Sequence, residues 1–115
     1  MKYHHLGIPT TTPRAGEKYV ERLKFHCTDH ESSPFGIQWM RFDPDCPVPE
    51  LVRTVPHVAF QVEDLEAAIA GHQFLIGPNS PSDGVTVAFV VIDGAPVEFL
   101  QFTDRRNKDR HKPAG

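Results

Sequence analysis

The chain has 115 residues, room for one ordinary domain. Its apolar fraction of 39%, charged fraction of 23% and formal charge of −3 fit a soluble globular protein and give no electrostatic footprint for nucleic acid. Two cysteines, Cys27 and Cys46, are too few for a disulfide scaffold. No apolar run approaches the roughly 18 residues of a membrane span, and the N-terminal segment lacks the apolar stretch of a signal peptide. The expectation is a soluble, cytoplasmic protein.

In chain order, Lys2 to Ile8 alternates and is rich enough in β-branched and aromatic residues to be a strand. A helix is predicted next: Thr12 is the N-cap, Pro13 the first helical position, and Ala15, Tyr19, Val20 and Leu23 fall on one face. Leu23 to Thr28 and Phe35 to Phe42 read as strands separated by a turn over 29–34. Residues 44–55 carry Pro44, Pro47 and Pro49 and are expected to be an extended connector. A second series opens with a strand from Pro56 to Val62. It continues with a short helix capped by Asp64, with Leu65, Ala68 and Ile69 inward and Gly71 at the left-handed C′ position. Three strands follow: Gln73 to Ile76, Val85 to Ile92, a hairpin turn at Asp93-Gly94, and Val97 to Phe102. Residues 103–115 hold Arg105, Arg106, Lys108, Arg110 and Lys112 and are expected to form a basic, flexible tail.

The two series repeat one another. His5-Leu6-Gly7-Ile8 recurs as His57-Val58-Ala59-Phe60, and Ile37 to Phe42 recurs as Val97 to Phe102. From His5 to Gln38 is 33 positions and from His57 to Glu98 is 41, so the first copy is eight residues short, about one strand and a turn. The expectation is a single α+β domain over 1–102 with paired βαβββ modules. Module one (1–43) is shortened to βαββ, module two spans 56–102, and together they form a curved, cleft-bearing mixed sheet with helices on its outer face.

Strand parity sorts the side chains. His5, Gln38, His57 and Glu98 share a face with Gly7, Met40, Ala59, Leu100 and Phe102, while Leu6, Ile8, Val58, Phe60, Ile37, Trp39, Val97 and Phe99 point the other way, toward the helices. By the same parity His4 should lie opposite His5. Two histidines and one carboxylate from separate strands make a donor set suited to a divalent metal, Zn, Ni, Co, Mn or Fe, with Gln38 as a fourth, neutral oxygen. Glu98 in a strongly apolar strand is costly to bury without a cationic partner, which favours the same reading. Met40, Leu100 and Phe102 are expected to line a substrate pocket or close a dimer interface.

The motifs His-x-Gly-Ile at 5–8, His-Val-Ala-Phe-x-Val-x-Asp-Leu at 57–65 and Val-Glu-Phe at 97–99 resemble the vicinal oxygen chelate superfamily, the glyoxalase, bleomycin-resistance and dioxygenase fold. The resemblance spans residues 2–102 and is stronger in the second half. It implies a homodimer, and it implies a divalent ion held by His5, Gln38, His57 and Glu98. It further implies a lyase or isomerase that removes a proton next to a carbonyl of a small-molecule substrate, with Glu98 as ligand and base. Two alternatives remain open: a non-catalytic small-molecule binder of the bleomycin-resistance kind and an Fe(II) extradiol-type dioxygenase. Glu31 lies in the shortened region and is a poor second base. A rival cluster of His26, Cys27, His30 and Cys46 has zinc-type residues, but its spacing matches no common knuckle, and a strand puts His26 and Cys27 on opposite faces. His72 and His111 have no partner that the sequence names.

Overall fold

The computed structural model describes residues 1–102. Its strands are β1 (Lys2–Pro9), β2 (Lys18–Val20), β3 (Phe25–Cys27), β4 (Ile37–Phe42), β5 (His57–Gln61), β6 (Gln73–Ser82), β7 (Val85–Ile92) and β8 (Ala95–Phe102). Two short helices, α1 (Glu50–Thr54) and α2 (Leu65–Ile69), and a 3-10 turn at His30–Ser32 complete the elements. All eight strands join one curled mixed sheet in the order β2-β3-β4-β1-β5-β8-β7-β6. Each half runs first, fourth, third, second strand outward from the centre, with first and fourth parallel in both: β1 with β4, β5 with β8. The halves meet where β1 and β5 pair antiparallel. The basic tail lies outside the described residues.

The second half follows its expected βαβββ order. Asp64 caps α2 by accepting from the Ala67 amide, and Gln101 Oε1 accepts from the Leu65 amide, so two of the first-turn donors are satisfied. Gly71 takes positive φ just beyond the helix, and Asp93-Gly94 turns β7 into β8 with both residues at positive φ, as a two-residue hairpin needs. Leu65 and Ile69 press onto Ala88, Val90, Val97 and Phe99, which form the core under α2. β6 runs to Ser82, well past the expected Ile76, and its pairing with β7 is interrupted by three register shifts that curl this edge.

The first half departs from expectation in the element it lacks. No helix follows β1; residues 10–17 are irregular and β2 stands where the helix was predicted. The eight-residue deficit thus removes a helix, and all four strands remain. Gly16 and Lys24 both sit at positive φ and turn the chain at either end of β2, while Lys18–Val20 pair with Phe25–Cys27. Ala15, placed on the buried face of that helix, is exposed. The bidentate contact of Arg41 with Glu17 and the Tyr19 hydroxyl donated to Asp43 hold β2 against the sheet in its place. As a result Leu6, Ile8, Ile37 and Trp39 are only half-buried on the outer face, with the Arg14 guanidinium 3.7 Å over the Trp39 ring.

The connector also differs. It contains α1, and Val52 on that helix is 1% exposed, packed with Cys46, Val48 and Phe89. Phe89 faces the hollow of the sheet, so α1 lies on the inner side, and among the described residues α2 is the one helix on the outer face. Among the described residues no helix is long and apolar enough to cross a membrane.

Candidate metal centre

Register places the candidate ligands in two rows across the centre of the sheet. Gln38, Gly7 and His57 stand abreast on β4, β1 and β5, and Glu98, Ala59 and His5 stand abreast on β8, β5 and β1. Each row is an oxygen-bearing residue, a small residue and a histidine, so the rows exchange under a twofold between β1 and β5. The small residues are required by their neighbours: a Cβ on Gly7 would lie 2.1 Å from His57 Cε1, because the His57 ring occupies the space over Gly7.

His5, His57 and Glu98 converge. His5 Nε2 is 3.1 Å and His57 Nε2 is 3.2 Å from the same Glu98 oxygen, Oε1, and one ligand atom from each residue lies within 4.8 Å of the others. All three are buried, His57 to 1% exposure. Yet both ring nitrogens of His57 lack a hydrogen-bond partner, so the short contact with Glu98 is not an aligned hydrogen bond. His57 Nε2 and Glu98 Oε1, close but unaligned, could both turn to a shared third atom. Donors bound at about 2.1 Å to one ion stand roughly 3.0 Å apart at octahedral angles and roughly 3.4 Å apart at tetrahedral ones. The observed 3.1 and 3.2 Å fall between these values, and the buried set could hold a divalent ion. Gln38 lines the same cavity from the position that mirrors Glu98.

Burial pushes the Glu98 carboxyl up, but the His5 and His57 nitrogens beside it pull it down more strongly and hold it at about 2. Glu98 is therefore ionised throughout the neutral range. In the metal-free fold its contribution to stability is present above the ordinary carboxyl value of 4.5 and is lost as pH falls toward about 2. Urea midpoints followed downward from pH 7 are expected to drop steeply below about pH 4.5 in the wild type and much less in Glu98→Gln. Parallel declines in the two proteins would contradict this origin of the acid sensitivity.

His4 is placed differently from the parity expectation. Between Tyr3 and His5 the β1–β5 register shifts, so His4 is the extra residue of a bulge and points to the same side as His5. Its Nδ1 is 2.7 Å from His5 Nδ1, and its ring lies 4.6 Å from that of His30. For His5 Nε2 to offer a lone pair to a metal, His5 Nδ1 must carry the proton and donate it to His4. His4→Phe is accordingly expected to weaken zinc binding by about tenfold or more, with His4→Gln, which keeps an acceptor, weakened less. Competition with a chromogenic chelator measures both; equal affinities in wild type and His4→Phe would remove His4 from this role.

The cavity over the site has a volume of about 400 Å³. Met40 and Leu100 line it, whereas Phe102 is buried in the wall beside Val85 and Val87, 5.9 Å from the His4 ring, and is not part of the lining. The rival cluster is dispersed: Cys27 and His30 line the cavity, His26 stacks on Tyr19 near Asp43, and the Cys46 thiol donates to the Leu23 carbonyl. Glu31 is exposed at the 3-10 turn, and His72 is exposed; His111 lies outside the described residues. His4 and His30 stand beside the site although the sequence placed the first on the opposite face and the second in the rival cluster; the bulge hid the one and an irregular segment the other.

No family model and no curated protein matches the chain. Its fold is similar to the crystal structure of the hypothetical protein BH1468 from Bacillus halodurans C-125. That match has a TM-score of 0.59 at 17% identity and covers 90% of this chain and 96% of that one. This likeness establishes a shared α+β fold around a curled mixed sheet.

Proposed function

We propose that the protein is a metal-dependent lyase or isomerase of the glyoxalase-like kind, in which two related β-rich modules share one cleft and act on a small carbonyl compound. The observation that carries this is the convergence of His5, His57 and Glu98, buried and with unpartnered His57 nitrogens, at one end of an apolar cavity. A bound divalent ion would act as a Lewis acid on the substrate carbonyl and acidify the adjacent carbon. His5 and His57 are the neutral donors of the set, which leaves Glu98 as its single charged member. Glu98, buried beside the two histidines, is the residue that would take the proton from that carbon. Gln38, on the mirror-related strand, fixes the substrate from the opposite side of the cavity.

The test is proton exchange. Zinc-, nickel- or cobalt-loaded protein incubated with small 2-hydroxy carbonyl compounds in D2O is expected to place deuterium on the carbon next to the carbonyl, as followed by NMR. Glu98→Gln, which retains an oxygen but no base, is expected to lose the exchange. Metal-loaded protein that exchanges none of them would overturn the assignment and favour a non-catalytic binder.

His4 and His30 beside the triad favour one other reading, an Fe(II) dioxygenase, because ring cleavage of a catechol requires acid–base groups near a two-histidine, one-carboxylate centre. Oxygen uptake by Fe(II)-loaded protein with catechol would move that reading ahead.

A further inference from the structure

Away from the donor cluster, the cavity wall carries information about the ligand. Leu23, Phe25 and Phe42 come to it from the first half, and Val52, Phe89 and Leu100 from the connector and second half. The part of a ligand in contact with these side chains gains most if it is itself apolar, since hydroxyls buried against them would lose their water without gaining partners; Cys27, Asn79 and Ser82 line other parts of the wall. The volume of about 400 Å³ is near the lower end for small-molecule pockets, enough for a single ring with short substituents.

Charge on the wall is equally one-sided. Among the described residues Glu98 is its one carboxylate, and it lies against His5 and His57, so a cationic ligand finds no other carboxylate there to pair with. Among the same residues Arg22 is its one permanent cation. It is exposed, in the tight turn between β2 and β3, where the Leu23 and Lys24 amides both donate to the Val20 carbonyl. Nearby, Lys24 pairs with Asp45, Arg41 with Glu17, Arg14 lies over Trp39 and Arg53 donates to the Val48 carbonyl; Lys18 has no such pair among the described residues but does not line the cavity. Arg22 enters no such pair among the described residues. An unpaired guanidinium at the rim of an apolar cavity attracts anions by its field and can hold a carboxylate through two parallel N–H donors.

We infer that the ligand is a small organic acid whose apolar, ring-sized body fills the space between Phe25, Phe42 and Phe89 and whose carboxylate is held at the rim by Arg22. The inference rests on the reading above in one respect, that the opposite end of the ligand presents an oxygen to the His5–His57–Glu98 centre. Arg22 then sets which carbonyl compounds enter and in which direction.

Calorimetry with two probes tests this. 4-Acetylbenzoate has a carbonyl at one end and an acid at the other; 4-methylacetophenone has the same ring and carbonyl without the acid. Each is titrated into wild type and Arg22→Gln, with and without zinc. Wild type is expected to bind 4-acetylbenzoate about fivefold or more tightly than 4-methylacetophenone. In Arg22→Gln the preference should vanish while the affinity for 4-methylacetophenone is unchanged. Equal affinities in wild type, a preference that survives Arg22→Gln, or no binding of either probe would overturn the inference. Zinc dependence is read separately: an Arg22-dependent preference that is indifferent to zinc would overturn the metal reading and leave acid recognition standing.

Discussion

His57→Ala and Glu98→Ala are each expected to lower divalent-ion affinity by at least about 100-fold, because loss of an orienting partner alone costs ten- to a hundredfold and these residues supply the donor atoms themselves. The two substitutions should differ in their effect on the metal-free protein. Glu98→Ala forfeits, at neutral pH, the stabilisation that the ionised carboxylate draws from His5 and His57, and with it the acid sensitivity of the fold. His57→Ala empties a fully buried position packed against Phe89, whose ring is 4.9 Å away, and is expected to cost on the order of 2 kcal/mol of stability. Competition titration gives the affinity and urea unfolding gives the stability. Retention of wild-type zinc affinity in either variant would mean that the ion, if bound, sits elsewhere.

Gly7→Ala is the second large effect, and a double-mutant cycle isolates its cause. The added methyl would need the place that His57 Cε1 holds, 2.1 Å from the ideal Cβ, and Gly7 lies in the middle of a strand paired on both sides, where the backbone cannot shift freely. Overpacking of this kind costs about 1–3 kcal/mol, and displacement of the His57 ring should carry zinc affinity down with it. In a His57→Ala background the obstruction is gone. There Gly7→Ala is expected to be neutral or slightly stabilising, since alanine restricts the unfolded chain. A Gly7→Ala cost that persists unchanged without the His57 side chain would show that contact with His57 is not what glycine avoids.

The same pair of rows explains why the centre was legible before the fold was known. A strand's period of two is rigid, so His5 and Gly7, or Glu98 and Leu100, fall on one face wherever the strand lies, and an internal repeat then brings two such strands together. The helix predicted after β1 failed for the opposite reason. Ala15, Tyr19, Val20 and Leu23 have helical spacing, but a helical pattern has force only if its face is buried, and the pairing of Lys18–Val20 with Phe25–Cys27 satisfied the backbone another way. Gly16, inside the span of the predicted helix, takes positive φ and turns the chain there. α1 was obscured by the prolines around it, although Pro49 stands at its N-cap position, where a missing amide costs nothing. The bulge at His4 leaves no compositional trace: one extra residue in a strand of ordinary residues reverses a face assignment, and only the register shift from Tyr3–Phe60 to His5–Ala59 reveals it.

The central claim is that His5, His57 and Glu98 hold one divalent ion, and anomalous diffraction at the zinc edge from crystals of zinc-incubated protein tests it most directly. The expected map has its strongest peak about 2.0–2.2 Å from His5 Nε2, His57 Nε2 and Glu98 Oε1, with His5 Nδ1 still against His4. A map with no peak between these three atoms, or with zinc only at exposed histidines such as His72, would contradict it.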